Sequence, residues 1–177
     1  DFASFVRPER PEKEYLAVET HRYLGKQYRI RLHALDREPD RSSEGVELIG
    51  QFYRVYTRRA DDPAHTKDLL TTWFRNRAES VLLERFDAGC ERMQPYGIEL
   101  PEMEVRTMEK RWGSCTPSRR VLLNPELIHA APYSIDYVVV HELCHLKHPY
   151  HSDAFYDLLE RVLPDWRRRK ERLEKIQ

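Results

Sequence analysis

Cysteine is scarce, and what little there is excludes a disulfide scaffold. Cys90, Cys115 and Cys144 are the only three in 177 residues, odd in number and widely spaced, and they read as reduced thiols of a cytoplasmic protein. Apolar runs are short as well: none approaches the roughly 20 residues that span a bilayer, so no membrane partner is expected. Neither sign of charge is in excess. Thirty Lys and Arg balance thirty Asp and Glu, so no global field draws the chain to nucleic acid or lipid. Glycine is sparse too, and no Gly-rich phosphate cradle occurs. The chain opens on Asp1 rather than Met, so an upstream segment is expected, and a removed signal peptide is compatible with it.

What is present reads as an α+β protein. Residues 1–13 are rich in Pro and charge and read as an irregular lead-in. "YLAVE", "QYRIRLHA" and "VELIGQFYRVYT" alternate apolar with polar residues, with Gly50 as a break or bulge. They predict an antiparallel β meander ending near Thr57. The period then lengthens. Leu69, Leu70, Trp73, Phe74, Ala78, Val81, Leu82 and Phe86 fall on one helical stripe. This predicts a long amphipathic helix from an N-cap at Thr66 to Met93, with Trp73 and Phe74 in the core. Short strands follow at "MEVRTM" and "RVLLN", and Pro125 opens a helical turn. The division expected is a β-rich N-terminal subdomain over 1–60 and a second domain over 61–177.

The chemistry concentrates in "HELCHLKHPYH", residues 141–151. "YVVV" ahead of it favours a strand, but Ser134 is a good N-cap, and Ile135, Val138, Val139 and Leu146 share a helical stripe. On a helix, His141 and His145 lie one turn apart on one face and can reach one zinc ion. Glu142 sits one residue round, where it can hold a zinc-bound water and act as general base; this is the HExxH arrangement. A third ligand is needed. His148 lies about 10.5 Å along the axis from His141, too far for all three to approach one ion within roughly 2.1 Å. Pro149 forces a turn, after which His151 can swing back. Ser152 then caps a helix whose stripe is Phe155, Leu158, Leu159 and Val162. A closed structural zinc site would need a fourth ligand, usually Cys, and Cys144 points to another face.

"RWGSC" at 111–115, "VLLN" at 121–124, "YVVVHELCHLKH" at 137–148, "HS" at 151–152 and "FYDLLERVLPDW" at 155–166 together resemble the YgjP-like metallohydrolases, relatives of the SprT and WLM zinc peptidases. The long helix and "HRYLGKQYRIRL" resemble the more variable N-terminal half, which a larger β segment usually precedes; by that measure the 1–60 subdomain is expected to be incomplete. The resemblance implies a zincin-like fold, one Zn²⁺ held by His141, His145 and His151, and a catalytic Glu142. It also implies a strand at 121–124 beside the active-site helix, where an extended substrate adds as a further strand. "RWGSC" has two readings. In one, Gly113 permits an unusual backbone angle and Trp112 packs. In the other, Arg111 or Ser114 meets substrate. Arg111, Trp112, Ser114 and Asn124 are therefore the substrate-binding candidates. Cys115 is expected to be inert.

Three functions compete. The first is a zinc metallopeptidase acting on an extended peptide. The second keeps the metal and hydrolyses a nucleotide, since some members of the family are described as UTP pyrophosphatases; Lys110, Arg111 and Arg119 would then meet phosphates. The third is a non-enzymatic nucleic-acid or partner-binding module using the basic stretch "DWRRRKERLEK" at 165–175. Its interspersed Glu residues favour a solvated helix with i,i+4 pairs instead.

Overall fold

Tyr28, Ile30 and Leu32 alternate against Gln27, Arg29 and Arg31, and the chain there is extended: strand β2 spans Lys26–Ala34. The computed structural model describes residues 19–176. The lead-in over 1–13 and most of "YLAVE" lie outside the described residues. Strand β1, Thr20–Tyr23, pairs antiparallel with β2. The "VELIGQFYRVYT" stretch is two strands, β3 Gly45–Ile49 and β4 Phe52–Thr57. Gly50, at φ +62°, is the turn between them, a backbone angle glycine adopts without strain.

The expected meander differs in one pairing. The sheet order is β1-β2-β4-β3, and β2 runs parallel to β4. A short 3₁₀ turn at Leu35–Arg37 and the polar stretch after it carry the chain past the sheet before β3 begins. The hairpin then inserts by its more buried strand. β4 carries Tyr53 and Val55, both fully buried, and takes the centre, while half-buried β3 takes the edge. Burial thus decides strand order where alternation alone does not.

Helix α1, Pro63–Met93, crosses the inner face of this sheet. Leu70, Phe74, Ala78, Leu82, Phe86 and Cys90 recur every four residues and are buried. Its cap is Asp62, not Thr66: the Asp62 carboxylate accepts from the His65 N–H at 3.0 Å, and Pro63 occupies the first turn. Thr66 lies one turn inside and is buried. Trp73 packs with Tyr23, Tyr53 and Phe74 at ring separations of 5.2–5.6 Å, so the aromatic stripe is core. The change from strand to helix falls near residue 60, and one buried cluster runs across it from Ile30 and Tyr53 to Leu127 and Val139.

A second sheet follows, from β5 Glu102–Val105, β6 Gly113–Cys115 and β7 Arg120–Leu123, in the order β5-β7-β6. A 3₁₀ turn at Pro125–His129 leads to α2, Pro132–His145, which packs between α1 and β6. Helices α3, Asp153–Val162, and α4, Trp166–Glu174, cover its remaining side.

Candidate metal centre and active site

Every residue from Tyr137 to Cys144 is buried. That resolves the conflict posed by "YVVV": α2 is enclosed on all sides, and tertiary burial outweighs the few tenths of a kcal/mol by which β-branched residues disfavour helix. The helix starts earlier than Ser134. Pro132 sits in the first turn behind Ala131, and buried Ser134 donates to the Arg169 carbonyl at 3.2 Å. Close packing on α1 depends on Gly89, where a Cβ would lie 2.5 Å from Val139 Cγ1.

At the far end of α2, His141 and His145 face the same way, with ring centroids 5.0 Å apart. The helix stops at His145, and the chain turns through Pro149 before Ser152 caps α3 by accepting from Phe155 N–H at 3.3 Å. That turn returns His151 to the pair. Its ring lies 5.1 Å from His141 and 4.7 Å from His145. One ligand nitrogen from each of the three lies within 4.8 Å of the others. His141 Nε2 and His151 Nε2 are 3.1 Å apart; two nitrogens at about 2.1 Å from a tetrahedral ion stand roughly 3.4 Å apart.

The surroundings favour neutral imidazoles, the form that binds metal. Burial holds His141 well below its ordinary pKa, assisted by the neighbouring His145 and His151. Burial also lowers His145 and His151. Phe155 lies under all three, with ring separations of 4.9, 4.6 and 4.9 Å. This apolar floor was not foreseen as part of the site; its one sequence signal is an aromatic four residues past His151. His148 does not join the triad. Its carbonyl instead accepts from His145 Nδ1 at 3.1 Å, which leaves Nε2 as the unprotonated atom. The Tyr137 hydroxyl lies 3.5 Å from His141 Nδ1.

Glu142 is 3 % exposed. Burial pushes its carboxyl up to about 8, with Arg111 pulling the other way. Its side chain lies against Gly113: a Cβ there would stand 2.9 Å from Glu142 Cγ and 3.0 Å from Oε1. Gly113 has no positive φ. The glycine of "RWGSC" is therefore there for lack of a side chain, rather than for an unusual backbone angle. The triad and Glu142 open on a cleft of about 520 Å³, also lined by Arg111, Ser114, Cys115 and Arg119.

A sequence profile described as "YgjP-like, metallopeptidase domain" matches residues 2–176. The chain belongs to the YgjP-like metallopeptidase family. It is thus a metallopeptidase-type hydrolase. No curated protein matches it. Two solved chains do; one is the crystal structure of the metallopeptidase zymogen of Pyrococcus abyssi abylysin, 20 % identical with a TM-score of 0.46, covering 52 % of this chain and 90 % of that one.

Within this YgjP-like chain the substrate-binding candidates divide. Arg111 and Ser114 line the cleft. Trp112 and Asn124 do not. Trp112 is 2 % exposed and packs in the core. Asn124 is fully buried, donating to the carbonyls of Met108 and Arg111 at 2.7 and 2.8 Å and capping the following turn through Glu126 N–H. It fixes the loop that carries Arg111. The expected substrate-pairing strand is also corrected. β7 is hydrogen-bonded on both sides, by β5 and β6, and has no free edge. Among the described residues, the strand packed against α2 that has one unpaired edge is β6. Burial raises the thiols of Cys115 and Cys144 to about 11 and 12, away from the reactive thiolate. Among the described residues no helix is long and apolar enough to cross a membrane.

Proposed function

We propose that this chain is a zinc-dependent peptidase of extended polypeptides, with His141, His145 and His151 holding one Zn²⁺ per chain and Glu142 moving the proton. The observation that carries this reading is the convergence of three lowered-pKa imidazoles from two segments onto one point over an apolar floor. The donor set suits zinc: three neutral nitrogens and an open side facing the cleft. When bound, the ion supplies Lewis acidity, lowering the pKa of water and polarising a carbonyl.

The protein groups do the rest. Glu142, in its ionised form, accepts a proton from the attacking water and returns it to the departing amine; its pKa, raised by burial to about 8, suits it to hold that proton between the two steps. Gly113 lets that carboxylate sit against the strand without displacement. The edge of β6, Gly113–Cys115, that no described strand occupies can hydrogen-bond an extended peptide so that its carbonyl lies in the cleft. Arg111 lines the same cleft and offers a cation for the oxygen on which charge develops.

The test is a parallel assay of the zinc-loaded protein against an unfolded polypeptide and a set of nucleoside triphosphates. Cleavage of peptide, without pyrophosphate release, is the expected result. Pyrophosphate release without peptide cleavage overturns the substrate assignment and leaves the metal assignment standing.

A further inference from the structure

The outer face of the N-terminal sheet carries a concentration of unpaired arginine. On β2, Arg29 and Arg31 alternate with the inward residues Tyr28, Ile30 and Leu32. The register aligns Arg31 with Arg54 on β4, and Arg29 with Phe52. Arg22 of β1 stands on the same face, in the register Thr20 opposite Arg29 and Arg22 opposite Gln27. Among the described residues none of these four guanidinium groups has a carboxylate partner, and Arg54 Nε has no hydrogen-bond partner at all. The acids nearby are committed elsewhere: Glu47 to Arg41 at 2.6 Å and Glu38 to His33 at 2.9 Å. In a chain with equal charges of each sign, four unpaired cations on one sheet face are a local excess.

The basic stretch at 165–175, by contrast, is largely compensated. Arg167 pairs with Glu160 at 2.8 Å, Arg169 with Asp165 at 2.8 Å and with Asp136 at 3.8 Å, and Lys175 with Glu171 at 2.6 Å. Arg169 also donates to the Tyr133 carbonyl, tying α4 to α2. These are structural and solvated pairs.

We infer that the outer face of the N-terminal sheet binds single-stranded nucleic acid, with Arg22, Arg29, Arg31 and Arg54 on phosphates and the Arg31–Phe52 stack as a platform for a base. Alternate residues on a strand lie about 6–7 Å apart, close to the phosphate interval of an extended strand. Four arginines rather than lysines favour bidentate phosphate contacts. Arg31 sits over Phe52, its guanidinium carbon 3.8 Å from the ring centre, and is itself exposed. A guanidinium plane held on an aromatic ring is a surface on which a base stacks. An acidic peptide would satisfy the charges but has no use for that platform.

Fluorescence anisotropy of the zinc-loaded protein with labelled oligothymidylate tests this, with polyglutamate of equal length and a DNA duplex as competitors. Four phosphate contacts predict a slope of log K on log salt of about −3, so that raising salt fourfold weakens binding roughly 50-fold. The variant R29Q/R31Q/R54Q should bind at least about tenfold more weakly at low salt, with the slope falling towards about −1. Arg29→Glu alone, at an exposed residue with no partner to lose, should weaken binding in the same direction and guards against misfolding of the triple variant. R167Q/R168Q should leave binding unchanged. Absent binding at low salt, equal affinity for polyglutamate or duplex, or indifference to both β2 variants overturns the proposal.

Discussion

Gly113 and Glu142, 29 positions apart in sequence, touch so closely that no side chain fits between them: a Cβ on Gly113 would stand 2.9 Å from Glu142 Cγ. The contact links β6 to α2 and sets where the carboxylate lies in the cleft. Gly113→Ala should therefore push Glu142 aside while leaving the histidines in place. The expected outcome is a fall in peptide cleavage of about 10²-fold, the usual cost of a displacement near 1 Å. Zinc content measured on the same sample should be unchanged; loss of metal together with activity would assign Gly113 to the fold alone.

The third ligand is separable from its neighbour. His151→Ala should abolish stoichiometric zinc retention against a weak chelator. His148→Ala should retain it, because His148 serves through its carbonyl, which accepts from His145 Nδ1. Equal losses from both would remove His151 from the triad.

The histidine triad also illustrates what the sequence makes legible. The i,i+4 spacing of His141 and His145 and the turn at Pro149 are local facts, and local facts survive folding. So do the helical period of α1 and the Ser152 cap. Strand order is not local. Nothing in the alternation of β2 and β4 says that they pair in parallel, and nothing in "RVLLN" says that β6 and β5 flank it on both sides. Trp112 sits in "RWGSC" and Asn124 ends "VLLN", yet their side chains go to the core and to a loop clamp. Only the fold distinguishes a polar residue that lines the cleft from one that holds the residue that does. Phe155 shows the converse: a core-stripe residue that also floors the site.

The seam between α1 and α2 predicts a stability effect. A methyl added at Gly89 would lie 2.5 Å from Val139 Cγ1. Gly89→Ala should destabilise the protein by about 1–3 kcal/mol through overpacking, despite alanine's higher helix propensity. Combining it with Val139→Ala should recover part of that loss in urea unfolding. Full additivity of the two losses would contradict the contact.

Acid stability should depend on Glu44. Its carboxylate accepts from Arg58 N–H at 2.7 Å and from Thr57 Oγ1 at 3.2 Å, and faces His65 Nε2 at 3.0 Å. The Arg58 backbone bond, followed by the His65 and Thr57 contacts, lowers its pKa from 4.5 to about 2. The folded value lies below the unfolded one. The stabilisation is therefore complete above the unfolded value of 4.5 and is lost as pH falls towards 2. At this partly exposed site it amounts to about 1 kcal/mol. Glu44→Gln should be the less stable protein at pH 6 and should match the parent near pH 2 in thermal unfolding. A constant difference across that range would contradict the assignment.

The most direct test of the account is the metal content and peptide cleavage of Glu142→Gln, measured on one preparation. The amide fills the same space against Gly113 but cannot accept a proton. The account predicts about one zinc per chain, as in the parent, with cleavage reduced on the order of 10²–10⁴-fold. Cleavage near the parent rate with zinc in place would contradict the role given to Glu142 and, with it, the mechanism proposed for this cleft.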